Sequence, residues 1–374
     1  MKKKVLLVGP AWPLRGGLAT FDERLCKAFE ENGCECEILS FKLQYPEFLF
    51  PGTTQYSSDP APEAITIYTK LNSINPLNWL FMGLKFRRKK YDLIVFRFWM
   101  PFMGPCLGMV ARLLRRKGKT RIVAITDNLI PHEKRFGDKF LTKWFIGGCD
   151  GLVTMSRSVL NDIETYFPRK PAKYNPHPMY DTFGQPISRD EALKSLGLDP
   201  AFRYMLFFGF IRRYKGLDLL LEAIADPRFD RLPLKFIIAG EYYEDKQPYL
   251  EMIEKYSLHD KLILKTDFIP NSQVSQYFCA ADMVVQPYHN ATQSGVTQVA
   301  YYYNIPMLVT DVGGLAELVP HQEVGYVVQP NAQAVADAIL DFVNNNRHQQ
   351  FVAGVKKYRE QFTWNSLIEK LWFK

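Results

Sequence analysis

Residues 207–223, FFGFIRRYKGLDLLLEA, join a short apolar run to a helix-length amphipathic segment through a loop with two glycines, two arginines and a lysine. The run Tyr204–Phe208 has the length and composition of a buried strand, and Leu217–Ala225 has the apolar periodicity of a helix. Strands that alternate with helices form parallel sheets. The stretch therefore predicts an α/β fold, with the basic loop at the carboxyl end of a strand.

The same alternation extends in both directions and predicts a parallel sheet in each half of the chain. The proline-rich stretch NPHPMYDTFGQP (175–186) interrupts it before the pattern restarts. We therefore expect a Rossmann-like N-terminal domain over residues 1–183, a second over 184–357, and a C-terminal helix within 358–374 that crosses back to the first domain. The other strands are predicted at residues 4–8, 35–40, 93–96, 122–126, 152–154, 172–174, 235–239, 262–264, 283–286 and 307–310.

The composition is that of a soluble protein with two domains. The 374 residues are 47% hydrophobic and 23% charged, and no run of about 18 apolar residues indicates a membrane span. The apolar run Val5–Val8 is too short for a signal peptide and predicts a first strand instead. The six cysteines show no metal-ligand or redox spacing, which favours free thiols and a cytoplasmic location.

The net charge of +8 is concentrated in the first half of the chain. Residues 1–185 hold 28 Lys and Arg against 17 Asp and Glu, a net charge of +11, whereas residues 186–374 hold 19 against 22, a net charge of −3. Two interpretations stay open: a solvated face, or a surface for peripheral association with an anionic membrane, at its inner face. No motif of nucleic-acid recognition accompanies the charge.

Loops at the predicted strand ends carry groups that suit a phosphorylated ligand, because ligands of open parallel sheets bind beyond the carboxyl ends of the strands. After the first strand, Gly16 and Gly17 open a helix whose free N–H groups favour an anion, although the G-x-G-x-x-G fingerprint is absent. In the basic loop quoted above, Arg212, Arg213 and Lys215 can bind phosphate oxygens.

The stretch HNATQSGVTQVAYYYNIP (289–306) contains a further loop followed by a predicted helix, and it has no acidic side chain. We expect Ser294 to cap a helix that begins at Gly295, so that the N–H groups of Gly295 and Val296 are available to a ligand. The neutral polar side chains of this stretch would hold hydroxyls and phosphate oxygens; they are Asn290, Thr292, Gln293, Ser294 and Gln298.

The order of FFGFIRRYKG, FIIAGE, TDFIPNSQVSQYFCAADMVVQPY and NIPMLVTDVGGLAELV resembles that of the retaining glycosyltransferases of family 4. GLVTMSRSV (151–159) is similar to the segment that closes their first domain. The resemblance covers nearly the whole chain and is strongest over residues 205–330. It implies the GT-B fold, in which two Rossmann-like parallel-sheet domains face a central cleft. It also implies transfer of a sugar from a UDP- or GDP-sugar to a hydroxyl, with retention and without a metal or other cofactor.

The resemblance gives the basic loop a catalytic role. Arg212 and Lys215 would stabilise the departing diphosphate in place of a metal, and no D-x-D motif for a diphosphate-bound cation occurs in the sequence. The family's usual arginine position holds Phe210 here, so the role moves to Arg212, with Arg213 as the alternative.

The resemblance also implies which residues bind the sugar, the ribose and the base of the donor. Family members usually carry two glutamates, eight positions apart, for hydroxyls of the sugar and the ribose. Asn290 and Gln298 are aligned with them, so both carboxylates have become amides. Phe268 and Ile269 match the place where related enzymes hold the base through backbone groups.

In the first domain, AITDNLIPHEKRFGD (124–138) follows a central strand, where related enzymes place a histidine or aspartate near the reacting carbon. Asp127 and His132 are the candidates, and Glu133 is the third. A loop histidine bonded to backbone is the alternative for His132.

Three functions from different classes follow. The leading hypothesis is an enzyme of polysaccharide or glycolipid biosynthesis, with a nucleotide-sugar donor and a carbohydrate or lipid-linked sugar acceptor. The alternative is a sugar-nucleotide binding protein with weakened catalysis, which the amides at positions 290 and 298 motivate. An epimerase ranks last, because residues 289–306 offer no paired acid and base.

Overall fold

The computed structural model describes residues 2–46, 54–57, 60–63, 65–129, 137–291 and 294–373. The chain divides into two compact units, Met1–Pro178 together with Thr363–Lys374, and Met179–Phe362. The division therefore falls between residues 178 and 179, within the proline-rich stretch, whereas the sequence predicts it between 183 and 184.

The N-terminal unit contains a seven-stranded parallel sheet of order β3-β2-β1-β4-β5-β6-β7. Its central strands are buried along their length, as expected for a parallel sheet covered on both faces. The strands are β1 Lys4–Val8, β2 Glu35–Leu43, β3 Thr66–Asn72, β4 Leu93–Phe98, β5 Arg121–Thr126, β6 Gly151–Thr154 and β7 Ala172–Tyr174. The helices are α1 Gly17–Glu31, α2 Pro76–Arg87, α3 Gly104–Leu114, α4 Asp138–Gly147 and α5 Arg157–Tyr166.

The C-terminal unit contains a six-stranded parallel sheet of order β10-β9-β8-β11-β12-β13. The strands are β8 Arg203–Phe208, β9 Leu234–Ala239, β10 Leu262–Lys265, β11 Met283–Gln286, β12 Met307–Thr310 and β13 Gly325–Val328. The helices are α6 Arg189–Leu196, α7 Leu217–Ile224, α8 Gln247–Lys255, α9 Val274–Ala280, α10 Gly295–Tyr303, α11 Ala332–Asn344 and α12 His348–Tyr358. Two parallel sheets with helices confirm the predicted fold class.

The last helix, α13 (Trp364–Leu371), belongs to the N-terminal unit. Leu367 and Leu371 are fully buried on its inner side. Asn32, at the end of α1, donates a hydrogen bond of 2.8 Å from its side chain to the Asn365 side-chain oxygen. The sequence predicts this return of the chain, because the apolar spacing of residues 362–374 requires a surface on which to pack.

Four elements are absent from the predictions: β3, α2, β13 and α12. Strand β3 lies at the edge of its sheet, and Leu71 is its one buried residue, so it lacks the apolar run of a central strand. Helix α2 is apolar on all sides, which removes the periodicity that marks an amphipathic helix.

None of the helices in the described ranges is both long and apolar enough to cross a lipid bilayer. Within the same ranges, no group of three or more His, Cys, Asp or Glu side chains is arranged to hold a metal ion. All six cysteines are free thiols, and five of them are buried.

Candidate functional site

In the C-terminal sheet the strand order reverses between β8 and β11, and ligands of open parallel sheets bind at such a reversal. The loops that follow these two strands contain the basic residues and the polar stretch singled out above. The backbone N–H of His289 donates to the Tyr214 carbonyl at 2.7 Å, and His289 Nε2 lies 2.9 Å from both carboxylate oxygens of Asp218. These contacts hold the two loops together.

Gly209, the first residue after β8, makes room for the basic loop. Its φ of +97° is in the region that favours glycine. A Cβ at this position would lie 2.8 Å from Lys215 Nζ and 3.8 Å from a methyl group of Val296. The Lys215 ammonium group and the first turn of α10 therefore meet beside a backbone that has no side chain.

Lys215 is a buried cation. Its side chain is 9% exposed, and its Nζ lies 5.8 Å from the ring centroid of Tyr288. Burial, and then the nearby charge of Arg212, lowers the pKa of Lys215 to about 8. Among the residues that the structure describes, none supplies a carboxylate to it. An uncompensated buried charge is costly, which makes this ammonium group a candidate partner for an anionic ligand.

The two arginines of the loop differ in their surroundings. Arg212 is half-buried, and its guanidinium carbon lies 5.0 Å from the ring centroid of Tyr243. Its charge acts on Lys215, as the pKa of Lys215 reflects. Arg213 is exposed to solvent. The geometry thus favours Arg212 over Arg213 as the second cation beside Lys215.

The start of helix α10 is correctly predicted at Gly295, but the predicted cap is wrong. Ser294 occupies the N-cap position, yet its side chain makes no cap hydrogen bond. Its hydroxyl instead donates to Gln286 Oε1 at 2.7 Å, and Thr297 Oγ1 donates to the same oxygen at 3.2 Å. Because β11 ends in a buried glutamine, the serine is drawn inward. Ser294 therefore does not cap the N–H groups of the first turn, which include those of Gly295 and Val296.

The two amides that replace the expected glutamates lie in different environments. Asn290 is exposed in the loop between β11 and α10. Gln298 is fully buried, and neither its amide nitrogen nor its amide oxygen has a hydrogen-bond partner among the described residues. Such an amide costs free energy unless a further group or a rearrangement satisfies it. Thr292 and Gln293 lie outside the described residues.

Aromatic rings flank the place predicted for the base. Phe210 stacks on Tyr243 with a centroid distance of 4.0 Å, and on Phe268 with a centroid distance of 6.3 Å. Ile269 is half-buried beside Phe268. The position at which the family pattern has an arginine thus supplies an aromatic surface here. Sequence reasoning did not assign Tyr243 to the site, because its approach depends on the pairing of residues 211 and 241–243.

In the N-terminal unit the strand order reverses between β1 and β4. Gly16, with a φ of +106°, is the N-cap residue of α1 and has no side chain with which to cap it, and Gly17 is the first residue of the helix. Within the same unit, a Cβ on Gly9 would lie 2.1 Å from Asp22 Oδ2. Glycine at position 9 therefore lets the backbone approach a buried carboxyl of α1.

Asp127 follows β5 and is held by Arg97 of β4. Arg97 Nε and Nη2 donate to the two Asp127 carboxylate oxygens at 2.6 and 2.7 Å, and both side chains are nearly fully buried. On its other side, Arg97 Nη1 lies 3.9 Å from Asp22 Oδ1, and the guanidinium carbon lies 4.1 Å from the Phe21 ring centroid. Burial raises the pKa of the Asp22 carboxyl well above its usual range, and the charge of Arg97 opposes this only in part.

Sequence reasoning missed Arg97 and Asp22. The available signals were a single charged residue in the apolar strand LIVFRF and an acidic residue on the apolar side of α1. His177, in the proline-rich stretch 175–186, is buried against Phe21 at a centroid distance of 5.1 Å, and burial lowers its pKa to about 3. His132 and Glu133 lie outside the described residues.

Comparisons with known proteins agree on one class of enzyme. Residues 188–361 match the family model described as "Glycosyl transferases group 1". An uncharacterized glycosyltransferase of Methanocaldococcus jannaschii is 23% identical over 98% of this chain and 96% of its own length. A lipopolysaccharide core biosynthesis mannosyltransferase of Rhizobium meliloti is 28% identical over 44% of this chain and 48% of its own length.

Solved structures show the same fold over almost the whole chain. A sucrose-phosphate synthase from Thermosynechococcus elongatus has a TM-score of 0.75 and 17% identity, and covers 98% of this chain and 97% of its own. Anabaena HepE, solved in complex with UDP-glucose, has a TM-score of 0.73 and 15% identity, and covers 98% of each chain.

Proposed function

The chain is a glycosyltransferase of GT-B fold that carries a group 1 domain over residues 188–361, and from this premise we propose its donor, its mechanism and the roles of its residues. The donor is a nucleotide-diphosphate sugar with UDP or GDP. The reaction is the retaining, metal-independent transfer of the sugar to a hydroxyl, as in family 4. The acceptor is a carbohydrate or a lipid-linked sugar in polysaccharide or glycolipid biosynthesis.

The observation that carries this proposal is the buried ammonium group of Lys215 at the reversal of the C-terminal sheet. A diphosphate has several negative oxygens close together, and it would need fixed positive charge where water is excluded. Lys215 and Arg212 supply charge, and the N–H groups of Gly295 and Val296 supply donors at the positive end of a helix. Charge that develops on the leaving diphosphate would be stabilised without a metal.

The remaining donor contacts are assigned by chemistry. The base would lie against Phe268 and Ile269, where the stacked Phe210 and Tyr243 add aromatic surface. Amide groups of Asn290 and Gln298 would bond hydroxyls of the sugar and ribose, together with polar groups at positions 292–294. HepE, which shares the fold, has been solved with UDP-glucose, and this supports a nucleotide-sugar donor here.

In the N-terminal unit we assign Asp127 and His132 to the reacting centre, and Gly16 and Gly17 to an anionic group of the substrates. Because both oxygens of Asp127 accept hydrogen bonds from Arg97, Asp127 would act as an oriented hydrogen-bonding group and not as a mobile base. His132 would then supply the hydrogen bond to a sugar hydroxyl or phosphate oxygen.

The second candidate function is binding of a sugar nucleotide with little turnover. The amides at positions 290 and 298, which replace the expected glutamates, motivate it. The buried Gln298 amide also has no hydrogen-bond partner among the described residues. Donor binding without release of free nucleotide, with every acceptor tested, would favour the binding protein over the enzyme.

A thermal-shift screen tests the donor. UDP, GDP and their common sugar conjugates are expected to raise the melting temperature, whereas UMP and GMP, with one phosphate fewer, raise it less, because binding to the native state stabilises it. Purified protein should then release free nucleotide from the matching donor, and EDTA should leave that rate unchanged. A melting temperature that no nucleotide raises, or a rate that EDTA abolishes, contradicts the proposal.

The pH dependence of donor binding should follow Lys215. With a pKa of about 8 in the free protein, Lys215 is charged below pH 8 and must regain a proton on binding a diphosphate above it. Affinity for the nucleotide diphosphate is therefore expected to fall by up to about tenfold per pH unit above pH 8. Calorimetric titration of UDP or GDP between pH 7 and pH 9.5, on the order of six points, measures this. In Lys215→Arg the side chain stays charged over this pH range, so the affinity of the variant should not change with pH. The same pH dependence in the unmodified protein and in Lys215→Arg would show that Lys215 does not bind the diphosphate.

A further inference from the structure

Helix α2 is apolar on both sides, but protein covers only one of them. Met82, Gly83 and Phe86 are buried on its inner side. On its outer side Leu77 is 78% exposed and Phe81 is 61% exposed. A helix that is apolar all round is normally buried all round, so this outer side is unusual for a protein surface in water.

The exposed side chains of α2 form one strip. Residues 77, 80, 81 and 84 are separated by three, four and seven positions, which places them on one side of a helix over about 10 Å. The strip includes Ile74, just before the helix. Five of the eleven large hydrophobic side chains that are exposed in the described part of the chain thus lie here: Ile74, Leu77, Leu80, Phe81 and Leu84.

Helix α3 packs between α2 and α4 and extends this surface. A Cβ on Gly83 of α2 would meet Leu113 of α3 at 2.6 Å, and a Cβ on Gly108 of α3 would meet Trp144 of α4 at 2.6 Å. Helix α4 adds Phe140, which is 70% exposed, and the half-exposed Trp144. We call the five residues of the strip, with Phe140 and Trp144, the α2–α4 face.

The charge around the α2–α4 face is predominantly positive, and α4 contributes one acidic residue, the half-buried Asp138. Residues 65–126 contain 13 Lys and Arg and a single acidic residue, Asp92. Exposed basic side chains lie in the last turn of α2 and just after it, between α3 and the start of β5, and on α4; they are Lys85, Arg87, Arg88, Lys90, Lys117, Lys119, Arg121, Lys139 and Lys143. Apolar side chains bordered by a large excess of basic ones match the chemistry of an anionic lipid surface.

We propose that the α2–α4 face binds the surface of a bilayer that contains anionic lipid, with the apolar strip of α2 inserted among the lipid headgroups. The strip projects from the outside of a helix and does not line a groove, which suits a planar, deformable partner. A second copy of this chain is disfavoured as the occupant, because self-association of the face would bring the two basic surfaces together. This inference concerns binding alone and stands apart from the proposed sugar transfer.

Flotation of the full-length protein with lipid vesicles tests the proposal. Phosphatidylcholine vesicles with about 30 mol % phosphatidylglycerol should carry the protein, and pure phosphatidylcholine vesicles should carry far less. The variant Leu77→Glu/Phe81→Glu should lower the partition coefficient at least about tenfold, since charge replaces the inserted side chains. Lys85→Glu/Arg88→Glu should lower it about fivefold or more for each charge and flatten its salt dependence.

Matched controls exist in the C-terminal unit. Leu264→Glu replaces an exposed hydrophobic residue on β10, and Lys356→Glu/Lys357→Glu replaces two exposed basic residues on α12; both should bind vesicles like the unmodified protein. All the substituted side chains are exposed, so folding should persist, and release of nucleotide from donor in free solution should not change.

Three results overturn the proposal: no binding to anionic vesicles, equal binding of the α2 variants and the controls, or equal binding to zwitterionic and anionic vesicles. A change of oligomeric state in Leu77→Glu/Phe81→Glu during gel filtration, without a change in flotation, would instead identify the face as a contact between copies. Vesicle binding and nucleotide release are measured separately, so a failure of the membrane proposal can be distinguished from a failure of the donor assignment.

Discussion

Replacing Lys215 with methionine is expected to lower kcat/KM for the sugar-nucleotide donor by about 100- to 1,000-fold, the usual effect of removing one preorganised group that stabilises developing negative charge. Methionine keeps most of the side-chain volume, so the loss isolates the charge. Lys215 is 9% exposed and lies beside the first turn of α10, where water offers little compensation. Initial rates of nucleotide release at varied donor concentration measure the effect.

The stability of the same variant distinguishes a functional role from a structural one. Folding lowers the pKa of Lys215 from 10.5 to about 8, so the folded protein disfavours the charged form. That cost is fully present below pH 8 and disappears as the pH rises towards 10.5. Lys215→Met should therefore melt at the same or a higher temperature than the unmodified protein at pH 7, while it loses activity. A lower melting temperature with unchanged kinetics would assign Lys215 to packing.

Three further variants complete this test. Lys255→Met removes an exposed lysine at the end of α8 and should leave rate and affinity unchanged. Arg212→Met should also weaken donor binding, but less than Lys215→Met, because Arg212 is only half-buried and its charge is better screened by water. If Arg213→Met, at an exposed position, had the larger effect of the two arginine variants, the second cation would be Arg213.

Replacing Arg97 with methionine is expected to destabilise the N-terminal unit by about 3–5 kcal/mol, because it leaves the Asp127 carboxylate buried without its main partner. All six tryptophans, at positions 12, 79, 99, 144, 364 and 372, lie in that unit. Tryptophan fluorescence during urea unfolding therefore reports on it alone. Arg115→Met is the matched control, since its ion pair with Asp150 is partly exposed and should contribute less than about 1 kcal/mol.

A double variant decides whether the loss comes from the unpaired charge. Arg97→Met/Asp127→Leu replaces both partners with apolar side chains and should recover much of the stability, since no charge is left buried. It should not recover activity if Asp127 acts at the reacting centre. Equal destabilisation in the single and double variants would mean that Arg97 stabilises the unit through its contacts with Phe21 and Asp22 and not through Asp127.

Local patterns sufficed for the regular elements of both sheets. Strands β1, β11 and β12 have the predicted bounds, because each is a short, largely apolar run between clear turns; the half-buried β7 has its predicted bounds as well. Helix α10 begins at the predicted Gly295 and ends at Tyr303, three residues before Pro306. By contrast, α2 has no apolar period and β3 has one buried residue, so neither produces a signal over a local window.

The candidate site was predictable in composition but not in arrangement. The basic loop, the glycines and the polar stretch after β11 could be read from their place at strand ends. The turning of Ser294 towards Gln286 could not, because the two residues are eight positions apart and face each other only when β11 and α10 are packed. The partner of Asp127 is thirty positions away on the neighbouring strand.

The sequence by itself determined the alternation of strands and helices, the basic loop after β8 and the excess of positive charge before residue 126, since each belongs to neighbouring residues. Only the tertiary structure decided that Lys215 is buried, that Arg97 holds Asp127, and that one side of α2 stays exposed. Burial and ion pairing depend on which distant segments cover a side chain, and that follows from the strand order of each sheet and not from any local pattern.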